Sequence, residues 1–140
     1  MKSKLSFAIL TSFFFAFLLT GCQSKDEMLM DDTSDIKEIS ISKSTEFGKL
    51  NDQFFTTFED SKELDILKKA LITAKREKVK LEGINYDLLM TDYNGDDSLI
   101  LQFYLGEEGE KSAFFSIGYE ERVYFTSEET TQELRKIIKP

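Results

Sequence analysis

The stretch Asp60–Lys78, DSKELDILKKALITAKREK, is where the chain changes period. Within it Leu64, Leu67, Leu71 and Ala74 recur at three- and four-residue intervals, one stripe of a helix. Asp60, with Glu63 three positions later, has the form of a capping box in which Asp stands for the usual Ser or Thr. Lys75, Arg76 and Lys78 would suit the negative end of the helix dipole. The spacing predicts one helix across this stretch, and the rest of the chain reads differently.

Upstream, IKEISISKS alternates at Ile39 and Ile41 and reads as a strand. DQFFTTFED reads as a second, with Phe54 and Phe58 on one face and Phe55 on the other. Downstream come four more strand signals: YDLLMT at 86–91, SLILQFYL at 98–105, SAFFSI at 112–117 and RVYFT at 122–126. The separators DYNGDD, GEEGE and GYEE are short enough for hairpins. TSEETTQELRKIIK closes the chain as a second helix, with Thr126 and Glu129 as a capping box and Leu134, Ile137 and Ile138 as its apolar face. Strands and helices do not alternate. The expected fold is therefore α+β: one mainly antiparallel sheet of about six strands with two helices on one face, in the order β-β-α-β-β-β-β-α.

The first residues are of another kind. Lys2 and Lys4 precede an uncharged apolar run, Leu5–Leu19, too short to cross a bilayer core as a helix. A positive start, a short apolar run and small residues before a cut describe an export signal. Leu19-Thr20-Gly21-Cys22 resembles the lipobox of bacterial lipoproteins. That resemblance implies cleavage between Gly21 and Cys22, an S-diacylglycerol and an N-acyl group on Cys22, and attachment to the outer face of the cell membrane. Two acyl chains suffice for stable anchoring where one is marginal. The expected organisation is a signal peptide at 1–21, the lipidated cysteine with a polar tether at 22–35, and a folded domain at 36–140. Met28, Leu29 and Met30 interrupt the polarity of the tether and either dock on the domain or on headgroups, or are incidental.

A second resemblance rests on Phe55–Phe58 in an FxxF strand, Glu59 and Asp60 before the helix, the YDLL strand and the VYF strand. On these the chain is similar to the small YhfM-like lipoproteins of low-GC Gram-positive bacteria. The similarity implies a surface lipoprotein domain and carries no site residues with it.

Composition excludes several chemistries. The chain has one Cys and no His, so no Ser-His-Asp or Cys-His nucleophile system and no imidazole zinc site can be built. No phosphate-cradling glycine motif occurs. With 18 basic and 26 acidic residues the net charge is −8, and cleavage after Gly21 would remove two lysines and no acid. Nucleic acid is therefore not an expected partner.

Two features invite a site. Asp92, Asn94 and Asp96 in DYNGDDSL alternate oxygen donors as calcium loops do. Asp97 stands where such a loop turns on glycine, however, and Asn94-Gly95 is a strong hairpin signal by itself. The bare turn is preferred, with calcium as the alternative cofactor. The acidic residues Glu107, Glu108, Glu110, Glu120, Glu121, Glu128 and Glu129 cluster in loops and at a helix start, where they read as solvated surface and not as a facing catalytic pair. What is left is a surface. If the helices cover Leu99, Leu101, Phe103 and Leu105, then Ile100, Tyr104, Phe114 and Tyr124 would gather on the opposite face for a protein partner. The sequence reading is thus a lipid-anchored, non-enzymatic module binding an envelope protein or peptide. A calcium- or small-ligand-binding lipoprotein is the alternative, and a carboxylate-based enzyme comes third.

Overall fold

Ser61, one residue after the expected cap, starts the first helix: its Oγ accepts a hydrogen bond from the Leu64 amide at 3.2 Å. Asp60 instead takes the left-handed turn that leads in, at φ 42°. The structure, a computed structural model, describes residues 27–140, so the expected signal segment, its expected cleavage site and Cys22 lie outside the described residues. Helix α1 runs Lys62–Thr73 and buries Leu64, Leu67, Ala70 and Leu71. It ends before the basic residues. Beyond Ala74 no apolar side chain continues the stripe, so further helix would bury nothing, and Ala74 turns to extended backbone at ψ 129°. The basic residues expected to cap the helix become strand β3, Lys75–Glu77.

The other strands are β1 Ile36–Lys43, β2 Phe54–Glu59, β4 Tyr86–Asp92, β5 Asp97–Tyr104, β6 Ala113–Ser116 and β7 Val123–Phe125. Helix α2 is Glu128–Ile137, capped by Ser127 and not Thr126. Among the described residues the fold is α+β, one antiparallel sheet of seven strands in the order β2-β1-β4-β5-β6-β7-β3 with two helices. The strand beyond the expected six is β3. Because β2 and β3 form opposite edges, α1 must carry the chain across the sheet.

Alternation then assigns the faces. Ile39 and Ile41 of β1 lie opposite Met90 and Leu88 of β4, and Leu88 lies opposite Leu101 of β5. All are buried with Leu64, Leu67, Leu71, Leu134 and Ile138, so the core sits between this face and the helices. Tyr86, Phe103 and Phe114 follow one another across three strands with ring centroids 5.3 Å apart at each step. Phe55 joins the row at 5.8 Å from Tyr86. It can do so because Ile41 pairs with Thr56 while Ser42 pairs with Phe54, which leaves Phe55 as the extra residue of a bulge. The bulge breaks the expected parity: Phe55 and Phe58 both pack on the core.

The start of the domain also moves. Leu29 and Met30 pack against the core, the Leu29 amide donates to the Ala74 carbonyl at 3.2 Å, and Met28 bridges Lys75 at the β3 edge. The folded unit therefore reaches back at least to Met28, inside the segment read as tether. No helix among the described residues is long and apolar enough to cross a membrane.

Candidate functional site

On the sheet face away from the helices, one row of side chains runs across four strands. Ser42 lies opposite Asp87, Asp87 opposite Gln102, and Gln102 opposite Phe115. Ser42, Asp87 and Gln102 are fully buried although no helix among the described residues covers them. The roof is the β1–β2 connection, residues 44–53, folded back over the sheet. Gln102 holds it from beneath: its Oε1 accepts from the Gly48 amide at 2.8 Å and its Nε2 donates to the Glu46 carbonyl at 2.9 Å. The same Nε2 lies 2.9 Å from Asp87 Oδ1. Asp87 also accepts from the Asn51 amide at 2.7 Å and from the Ser44 hydroxyl. Ser42 donates to the Asn51 carbonyl. A buried carboxylate is costly unless such donors surround it, and here they do.

At the end of the row Phe47 of the roof stacks on Phe115, ring centroids 6.0 Å apart and nearly parallel. Gly48 makes this placement by its left-handed φ of 79°, and a Cβ there would come within 3.4 Å of Glu120 Oε1. Phe47 remains 49% exposed, so one ring face is open. It borders a groove of about 490 Å³ lined by Phe47, Phe115, Leu81, Lys80, Glu82 and Glu120. A second groove of about 510 Å³ shares Lys80 and Glu120 and continues past Val79 to Arg76 and Glu121. The floor is apolar and the rim carries both signs. Glu120 accepts from the Gly118 amide at 3.0 Å and, secondarily, from its own amide, which holds its carboxyl below the usual value and keeps the charge on the rim.

The four residues expected to share a partner face do not share one. Phe103 lies opposite Phe114, and Phe114 opposite Tyr124, so Phe114 and Tyr124 belong to the helix face. Phe114 is fully buried and Tyr124 packs against the core. Ile100 and Tyr104 do lie on the open face, half-buried. Tyr104 donates its hydroxyl to Glu110 at 2.7 Å, and this bond is the main reason its pKa is raised. Glu110 also accepts from the Glu107 amide, and its own pKa is lowered. The remaining acids of that loop are surface groups, with Glu107 paired to Arg135 at 3.3 Å.

The DYNGDD stretch is the β4–β5 hairpin. Asp92 Oδ1 accepts from the amides of Asn94 at 2.9 Å and Asp96 at 3.0 Å, and Gly95 has φ 84°. One oxygen of Asp92 is thus occupied in holding the turn. Among the described residues no group of three or more acidic, His or Cys side chains is placed to hold a metal ion.

The groove was not anticipated from the sequence. Phe47 sits in a polar connection and Val79 and Leu81 in a charged one, and only the roof and the β3 edge bring them together. One signal was present: polar Ser40, Ser42, Asp87 and Gln102 alternate with core residues inside strongly apolar strands.

No protein-family model matches the chain, and no curated protein sequence matches it significantly. Among solved structures it is similar to a thioesterase-like protein from Clostridium sporogenes ATCC 15579, with a TM-score of 0.56 and 17% identity. The match covers 75% of this chain and 95% of that one. At that identity the likeness concerns the fold alone.

Proposed function

We propose that this chain is a lipid-anchored domain on the outer face of a bacterial cell membrane, acting there as a non-enzymatic binder of an extended protein segment. The observation that carries the binding role is the groove beside Phe47 and Phe115, with the second groove that shares Lys80 and Glu120 with it. The apolar floor, open aromatic face and mixed-charge rim suit a peptide with alternating apolar and polar side chains. The anchor rests on the lipobox at Leu19–Cys22, and the resemblance to YhfM-like lipoproteins agrees with it.

An enzyme is the competing reading, favoured by the structural likeness to a thioesterase-like protein. The polar row is the natural place for its chemistry. Asp87, however, is fully buried and engaged by Ser44, Asn51 and Gln102 beneath the roof. The chain also lacks histidine, so Ser44 has no imidazole base. The row therefore serves to hold the roof, and through it Phe47.

Two experiments separate the parts of the proposal. Cys22→Ser should abolish labelling by a fatty-acid analogue, and equal labelling of variant and parent would end the anchor reading. Displayed peptides selected on the parent should lose retention on a Phe47→Ser, Val79→Ser variant. Unchanged retention would move binding away from the groove.

A further inference from the structure

We infer that the β3 edge of the sheet faces the bilayer and rests on anionic phospholipid headgroups; the inference depends on the anchor at Cys22 proposed above. Two independent observations meet at this edge. The first is where the chain leaves the fold. Met28 bridges Lys75, and the Leu29 amide bonds the Ala74 carbonyl, so the N-terminal segment exits beside β3. From Cys22 to Met28 is six residue steps, a span of at most about 20 Å even when fully extended. An acylated Cys22 thus keeps this edge within about 20 Å of the membrane surface.

The second is charge. In an acidic chain, Lys75, Arg76, Lys78 and Lys80 fall within six consecutive positions, and all four are exposed. The acid among them, Glu77, is bound by Lys111 at 2.9 Å, which belongs to the same surface. Glu120 and Glu121 also border the edge, and Arg122 lies 3.8 Å from Glu121. Basic groups therefore outnumber acids here, the reverse of the chain as a whole. The opposite edge, β2, has Glu59 with Asp60 just beyond it, and Lys37 is the cation paired there, at 3.5 Å. Each basic residue close to an anionic leaflet weights an orientation by about fivefold. The groove along Arg76–Lys80 then opens beside the headgroup layer, where a membrane-proximal segment of a partner would meet it.

The chemistry of the anchor supplies the test. With Cys22 acylated, a cysteine introduced elsewhere is the sole free thiol of the chain. Full-length lipidated protein carrying Val79→Cys, or Thr57→Cys on β2, is spin-labelled in vesicles containing phosphatidylglycerol, with a nickel-chelating lipid as relaxing agent. The label at 79 should be strongly relaxed and the label at 57 hardly affected. Adding Lys75→Glu and Lys78→Glu should lower the edge-down preference by about 25-fold or more, as two residues at fivefold each require. Vesicles of phosphatidylcholine alone should lose much of the contrast. Equal relaxation of the two labels in anionic vesicles, or contrast indifferent to the charge reversal, overturns the inference while leaving the anchor standing. An unshifted mass with a freely reactive Cys22 overturns the anchor reading and the inference with it.

Discussion

Gln102→Leu tests how the roof over the open sheet face is held. The substitution keeps nearly the volume of a fully buried side chain and removes only its polar contacts. Lost are the bond accepted from Gly48 and those donated to the Glu46 carbonyl and Asp87. Gly48 and Glu46 lie in an exposed connection and can turn to water. Asp87 cannot, because it is buried. A buried charged acceptor deprived of a donor costs about 2–3 kcal/mol. For a domain of this size that is a fall in Tm of roughly 10 °C. Urea denaturation gives the free energy, and amide exchange should show faster exchange at residues 46–51 than elsewhere. A loss under about 0.5 kcal/mol, the ordinary range for surface changes, would refute the reasoning. So would a stability loss with unchanged exchange in the roof, since Gln102 would then matter to the sheet alone.

Other substitutions follow from the same geometry. Thr126 Oγ1 is buried without a hydrogen-bond partner among the described residues, so Thr126→Val should stabilise the domain by about 1 kcal/mol in the same denaturation assay. Tyr124→Ser should cost about 2 kcal/mol because the ring packs on the core, whereas Tyr104→Ser should cost well under 1 kcal/mol. In an absorbance titration Tyr104 should ionise above the ordinary tyrosine value, and Glu110→Gln should bring it back down. A raised folded pKa means that this contribution to stability is full below the ordinary tyrosine value and lost as pH climbs through the folded one. Asp92→Ala should lower stability by about 1 kcal/mol through its turn bonds, and millimolar calcium should leave the Tm of the parent unchanged.

The parts of this fold that were legible are those set locally. Leu64, Leu67 and Leu71 repeat at helical spacing, and Asn94-Gly95 marks its hairpin without help from distant residues. Both helix caps were displaced by one residue because each serine cap has an Asp or Thr beside it that could do the same work. Strand β3 carries no β-forming residue, and Lys75–Glu77 is extended only because β7 lies alongside. Parity failed where it depends on pairing. The β5–β6 and β6–β7 registers put Phe114 and Tyr124 behind Phe103, and a bulge put Phe55 with Phe58. The groove was hidden for a related reason: Phe47 and Leu81 are 34 positions apart, and their meeting depends on the roof that Gln102 and Asp87 hold in place.

The most direct test of the binding role is photocrosslinking in intact cells from a reactive residue placed at Phe47, with the same residue at exposed Tyr93 as control. Position 47 should yield one discrete adduct that disappears when Leu81→Asp disrupts the groove floor, and position 93 should yield none. No adduct from 47, or the same adduct from both positions, would contradict the account.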